Sequence, residues 1–336
     1  MKNYQITLLT LVILSLFGCK KVFFEPEPEN NPEALFENLW TTFNTDYAPF
    51  EERGVDWQEQ YQIFRPQVNA STTNEELKDI FKLLLSSLND GHVELTTPNS
   101  DVFYSNSILD QRIDHELFDL DLIKSNYLQD DFLQNGNDLN TYGMIGNIGY
   151  WHIEAVGQNM LEIDEILNHF SSADGLIIDL RHNKGGNSTY AFSEFGRLTN
   201  SERFVLRSKT KSGTGPNDYT EWYSWNVSPS GDYFDKPIVL LTDRYTISAG
   251  ERAVMAFKTL PNVIHVGDTT NGAFSTKMGK ELANGWFYTV STQIIQFNDG
   301  VSYEGSGMSP DIYIKNTLSE MLNGQDKTLE EAMSQF

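Results

Sequence analysis

The spacing of apolar positions divides the chain into two regimes. From Asn31 the pattern is helical: Leu35, Phe36, Leu39, Trp40 and Phe43 make one stripe behind Pro32, which suits a first helical position. Asp56 is placed to cap a second helix carrying Trp57, Tyr61 and Phe64, and Thr73 with Glu76 forms a capping-box pattern ahead of Leu77, Ile80, Phe81, Leu84 and Leu88. Residues 31 to about 90 therefore read as a small helical layer, closed by the turn signal in "LNDGHVELTT" and an alternating strand. Residues 99 to 143 are polar and weakly periodic, and no element is assigned there.

Beyond residue 143 strand and helix patterns alternate. "IGYWHIEAV" reads as a strand, "MLEIDEILNHF" as a helix and "GLIIDLR" as a buried strand. "NSTYAFSEFGRL" (helix) and "RFVLRS" (strand) follow, then a loop from Gly213 to Lys236 and the strand "PIVLLT". "SAGERAVMAFKTL" is a helix and "VIHVGD" a strand; "GWFYTVSTQIIQF" and "SPDIYI" supply more strands, and "KTLEEAMSQF" a last helix. This alternation predicts an α/β fold with a mainly parallel sheet and ligands at strand C-termini. No internal repeat is visible.

Composition adds two constraints. With 39% hydrophobic residues in 336, a sizeable core is available. A net charge of −23 argues against nucleic acid and anionic membrane surfaces as partners. The N-terminus stands apart: a lysine, an apolar run too short to span a bilayer comfortably, and then Cys19, the only cysteine. "LFGC" resembles the lipobox of bacterial lipoproteins, which implies a signal peptide over 1–18, a lipid anchor at Cys19 in the bacterial cell envelope, and a tether over 19–32. The remaining chain divides into a helical subdomain over 33–95 and an α/β domain over 96–336.

Two strand-to-helix junctions carry small residues. In "TDRYTISAGERAV" Ser248 precedes Ala249 and Gly250; in "DGLIIDLRHNKGGN" a buried strand runs into Gly185–Gly186. Side by side in a parallel sheet, their N–H groups would converge as in an oxyanion hole, with Ser248 beside it as a candidate nucleophile. The plainer readings are an N-cap serine and a simple glycine turn. A nucleophile needs a base. Of six histidines, His92 stands out in the turn after Asp90–Gly91.

"GLIIDLRHNKGG" followed by "PIVLLTDRYTISAGE" resembles the signature of the tail-specific (C-terminal processing) serine proteases. "LLSSLNDGHVEL" and "YEGSGMSPDIYI" are similar to segments of the branch related to the tricorn protease core and the retinoid-binding repeats. The resemblance implies a crotonase-like core, a serine-type peptidase acting on peptides or unfolded proteins, and no cofactor or metal. It implies Ser248 as nucleophile, His92 as general base, Glu304 as orienting acid, and the N–H groups of Ala249 and of Gly185 or Gly186 as oxyanion donors. Ala273 stands where a Ser–Lys dyad would have its lysine, favouring the histidine version. Gly91 stands where the tricorn-like pattern has a serine linking base to glutamate, leaving three possibilities for Glu304: direct contact with His92, contact through water, or none. Some fifty residues between His92 and "GYWHI" leave no room for a PDZ domain. A non-catalytic binding module on the same fold, an α/β-hydrolase esterase and an acyl-CoA enzyme are the alternatives. The first would lose one of Ser, His and Glu, the second lacks its G-x-S-x-G elbow, and the third has no need of Ser248.

Overall fold

The computed structural model describes residues 29–98 and 102–336; the expected signal peptide, the Cys19 anchor and most of the tether lie outside them. Three helices open the fold: α1 (Pro32–Asp46), α2 (Trp57–Phe64) and α3 (Asn74–Ser86). Each begins at its expected cap, with Asn31 accepting from the Ala34 N–H, Asp56 from Glu59, and Thr73 and Glu76 closing a capping box. Their buried stripes do not form a core alone. Phe36, Phe43, Leu77 and Phe81 share one cluster with Leu282, Trp286, Tyr288 and Val290 from far downstream.

After β1 (Glu94–Thr96) come β2 (Phe103–Tyr104), α4 (Ser107–Gln111), α5 (Leu120–Asn126) and β3 (Leu133–Asn135). These occupy the segment to which the sequence assigned nothing. Then follow β4 (Asn140–Ile145), β5 (Ile148–Ile153), α6 (Ile163–His169), β6 (Gly175–Asp179), α7 (Ser188–Glu194), β7 (Arg203–Thr210) and β8 (Tyr223–Val227). Strand β8 corrects the expected loop over 213–236: it pairs with β7 through Trp225 and its neighbours. The C-terminal third comprises β9 (Ile238–Thr242), α8 (Ala249–Phe257), β10 (Val263–Gly267), β11 (Lys277–Glu281), β12 (Phe287–Ser291), β13 (Gln293–Phe297), β14 (Ile312–Tyr313), α9 (Leu318–Leu322) and α10 (Lys327–Met333). The segment "GWFYTVSTQIIQF", residues 285–297, expected to supply strand, is broken at Thr292. Its halves join different sheets, β12 beside β1 and β13 beside β7.

The central sheet has seven strands in the order β14-β10-β9-β6-β5-β4-β3. The pairings from β5 to β14 are parallel and the two on the other edge antiparallel, so the sheet is mostly parallel, as the alternation predicts. Its central strands β5, β6 and β9 are buried on both faces. Leu176, Ile178, Ile238 and Leu240 enter one cluster while Ile177, Val239 and Leu241 enter another, which is the period of two working on both sides at once.

At the C-terminal end of β6, Asp179 binds Arg181 through Nε at 3.0 Å and Nη2 at 2.6 Å; Arg181 Nη1 meets both oxygens of Asp326 at 2.9 Å. Asp326 also caps α10 by accepting the Leu329 N–H at 3.0 Å. All three side chains are buried. Replacing one partner of such a group leaves a buried charge undercompensated, which costs about 3 kcal/mol or more. Asp326→Ala should lower unfolding stability by that order in urea melts, and a loss under about 1 kcal/mol would mean that the triad does not anchor α10.

Candidate active site

Strands β6 and β9 are parallel neighbours in register, Ile178 opposite Leu240 and Asp179 opposite Leu241, so the chain leaves both at the same sheet edge. The two junctions are then tied together. Ile247 N–H donates to the Asn183 carbonyl at 3.2 Å, and the Thr246 hydroxyl to the Leu180 carbonyl at 2.7 Å. A Cβ added to Gly185 would lie 2.6 Å from Ser248 Cβ, and one added to Gly186 would run into the Val156 carbonyl. Only glycine fits where these loops meet.

Ser248 heads α8 with φ 61° and ψ −119°, a left-handed conformation that a non-glycine residue adopts at a cost. Its N–H is held by the Glu251 carboxylate at 3.1 Å and the Ala273 carbonyl at 3.2 Å. The same carboxylate accepts the Gly272 and Ala273 N–H groups and the Thr270 hydroxyl, clamping the serine turn to the loop after β10. Glu251 completes the S-A-G-E capping-box pattern after Ser248, a signal present in the sequence but unused for the site.

Ser248, Ala249, Gly186 and His92 line one cavity of about 860 Å³. The Ala249 N–H, among the unsatisfied donors of a first helical turn, and the Gly186 N–H make no hydrogen bond among the described residues. Gly185 is different: its N–H donates to Asn183 Oδ1 at 2.9 Å and is therefore already engaged, which narrows the expected donor pair to Ala249 and Gly186.

His92 is buried, held by its backbone: its N–H donates to Asp90 Oδ1 at 2.8 Å and its carbonyl accepts from Thr289 Oγ1 at 2.6 Å. Ring atom Nδ1 has no hydrogen-bond partner among the described residues. Burial pushes the imidazole down to about 4; Asp90 pulls the other way, and Lys277, Arg252 and Arg53 add to the fall.

Glu304 does not make the direct contact with His92. Its Oε1 accepts from Arg53 Nη2 at 2.5 Å, and its Oε2 from the N–H groups of Phe274 and Ser275 at 2.9 and 3.0 Å. Arg53 also reaches the carbonyls of Asn89 and Gly272 and lies 3.4 Å from Asp90, so glutamate and histidine turn are linked through an arginine from the helical segment. Asp90 Oδ2 is closed by Tyr47 and Ser291 hydroxyls. Nor is there room for a relay hydroxyl: a Cβ on Gly91 would meet Asn271 Oδ1 at 2.5 Å and Ile247 Cδ1 at 2.7 Å.

Residues 147–314 match the model of peptidase family S41, half of the chain, and residues 28–86 match the tricorn protease C1 domain. The chain belongs to peptidase family S41. Among relatives of the S41 chain, a carboxy-terminal-processing protease of Bartonella bacilliformis is 26% identical over 199 residues, 57% of this chain and 44% of that protein. The tricorn protease of Thermoplasma acidophilum is 28% identical over 193 residues, 56% of this chain and 16% of that protein. The chain thus spans less than half the length of these curated relatives. A crystal structure of a candidate peptidase from Parabacteroides merdae superposes with a TM-score of 0.82 at 27% identity, covering 91% of this chain and 96% of the other. Among the described residues of this S41 protein, no cluster of three or more His, Cys, Asp or Glu could hold a metal ion, and no helix is long and apolar enough to cross a membrane.

Sequence reasoning missed Asp90, Arg53 and Glu251 as parts of the site, and also the 99–143 segment, which contributes Tyr104, Leu109, Arg112 and His115 to the cavity wall.

The depressed His92 has a thermodynamic consequence. Between pH 6.5, the ordinary value, and about 4, the unfolded chain binds a proton that the native chain does not, so stability is lost as pH falls through that window. His92 alone accounts for at most about 3 kcal/mol, and buried His152 and His265 and partly buried His182 are shifted the same way. Asp243, Glu251 and Glu304, raised by burial to about 7, 7 and 8, act in the opposite sense, so the test is a difference: as pH falls below 6.5 the urea midpoint of wild type should drop relative to that of His92→Gln. A variant that tracks wild type throughout would remove His92 from the effect.

Proposed function

We propose that this chain is a serine endopeptidase that works through an acyl-enzyme, with Ser248 as nucleophile and His92 as general base. The observation that carries the reading is the meeting, in one cavity, of a serine on a strained strand-to-helix junction, a neutral buried histidine and two unbonded N–H groups. Ser248 Oγ attacks the peptide carbonyl as His92 takes its proton, and the carbonyl oxygen gathers negative charge beside the N–H groups of Ala249 and Gly186. His92 then returns the proton to the leaving amine, and water repeats the sequence on the acyl-enzyme. Glu304 serves as a positioning residue: through Arg53 it fixes the Asn89–His92 turn, and through the N–H groups of Phe274 and Ser275 the loop after β10. The mostly parallel sheet with both junctions at one edge supports a crotonase-like core, and the S41 relatives support unfolded protein or peptide as substrate. For location, the apolar run ending in "LFGC" supports a lipid anchor at Cys19 and a place in the bacterial envelope.

A fluorophosphonate probe should label wild type at Ser248 and leave Ser248→Ala unlabelled, as read by mass spectrometry. Casein turnover should rise through about pH 4 and then level off towards neutrality, because only the unprotonated imidazole accepts the serine proton. His92→Ala should abolish turnover, while Glu304→Gln lowers kcat by a smaller factor with KM little changed. Labelling that persists in Ser248→Ala would remove the serine mechanism, and unchanged turnover in Glu304→Gln would remove that glutamate from the site.

A further inference from the structure

Three arginine side chains are buried in the described protein in very different company. Arg53 lies within reach of two carboxylates, Asp90 and Glu304, and Arg181 of two more, Asp179 and Asp326. Arg252 has no carboxylate within 4 Å among the described residues, although only 6% of it is exposed. Buried charge without a counter-charge is costly, and proteins normally pair it. Arg252 Nε donates to the Phe274 carbonyl at 2.9 Å, and Nη2 to Thr276 Oγ1 and Gln293 Oε1, both at 3.1 Å. Nη1 has a single contact, Ser188 Oγ at 3.5 Å, so part of the guanidinium fork has no strong acceptor.

The unpaired arginine faces the cavity. Arg252 lies one helical turn after Ser248, its N–H donating to the Ser248 carbonyl at 3.1 Å, so both side chains share a face of α8. The wall around it is Ser188, Trp225, Thr276 and Gln293. The cavity's charge balance runs against that of the chain. Arg112, Lys184, Arg252 and Lys277 line it against one carboxylate, Glu94, in a protein of net charge −23. Lys277 holds Glu94 at 2.5 Å and Lys184 is bound to Glu154, which leaves the two arginines as the lining cations without a carboxylate.

We infer that Arg252 forms a substrate subsite for an acidic side chain, and that the protein prefers peptides carrying Asp or Glu close to the bond placed at Ser248. The inference rests on the peptidase reading and names its substrate class. An incoming carboxylate would supply the counter-charge that the fold withholds, and a planar guanidinium donates to it in charge-assisted, directional hydrogen bonds. Burial depresses Arg252 to about 10, with Glu304 and Glu251 opposing from a distance; it remains a cation at neutral pH. An amide of the same shape has no charge to offer.

The test uses wild-type protein and pairs of fluorescent peptides that differ only in Glu against Gln at one position, all amidated at the C-terminus, with a free-acid form of the Gln peptide as a further arm. Anisotropy gives Kd, and mass spectrometry with initial rates gives kcat/KM. The Glu peptide should bind more tightly and be cut faster by about tenfold, and Arg252→Gln should bring the ratio near one. Because Arg252 also ties Phe274, Thr276 and Gln293, a second variant, Gln293→Glu, places a carboxylate against the guanidinium and should also cancel the preference. Tighter binding of Glu with no cleavage supports the subsite and overturns the peptidase reading. Cleavage of Glu and Gln peptides at equal rates overturns the subsite and leaves that reading intact. Absence of both binding and cleavage overturns both. A gain from the free-acid Gln peptide that matches the gain from Glu assigns the carboxylate to the chain terminus and overturns the side-chain proposal.

Discussion

Everything at the cavity depends on the parallel pairing of β6 with β9. Two buried strands of five residues each, joined in register from Leu176 to Asp179, deliver Leu180 and Asp243 to one edge of the sheet. From there each chain has only a few residues in which to turn into a helix, and the two turns must share the same space. Backbone bonds between them replace what side chains would otherwise fill, which is why the contact points are Gly185, Gly186 and a serine in a left-handed conformation. The unbonded N–H groups of Gly186 and Ala249 follow from this crowding, since neither loop can fold back far enough to satisfy them.

A second set of contacts brings the histidine to this edge from another part of the chain. His92 sits on a turn fixed by Asp90, which is itself surrounded by Arg53, Tyr47 and Ser291. Two carboxylates, Asp90 and Glu304, share the one cation Arg53 in this pocket, and burial pushes Glu304 up to about 8, so Arg53 is the member whose loss would strand both partners. The imidazole gains a firm backbone position from the arrangement rather than a hydrogen bond to Nδ1.

The fold was legible where periodicity was strong. The stripes of α1 to α3, the continuous apolar strands β6 and β9 and the alternation between them led to a mostly parallel α/β sheet, and the two small-residue junctions led to Ser248 and to the pair Gly185–Gly186 without choosing between the glycines. Residues 99–143 were illegible because their elements are two to seven residues long and partly exposed, so no period repeats within them. The break at Thr292 was hidden for another reason: strand-forming residues run through "FYTVSTQIIQF" with no Gly or Pro between them, so nothing marks where the strand changes sheets. Glu304 was recognised by its motif, yet its partner, Arg53, lies 251 positions away on a turn with no distinguishing pattern. Long-range ion pairs leave no periodic trace in a sequence.

The sharing of one apolar cluster between α1 to α3 and the segment Leu282 to Val290, the turn before β12 and β12 itself, has a consequence for the birth of the molecule. A ribosome releases Phe36, Phe43 and Phe81 long before Trp286, Tyr288 and Val290 exist to cover them. The nascent chain therefore carries an uncovered aromatic surface through most of its synthesis, a situation that invites holding chaperones and makes folding largely post-translational. The same order of events delays the cavity. Thr289 and Ser291, which fasten the His92 turn, are made after Ser248, so histidine and serine cannot be fixed in place together when the serine junction first emerges.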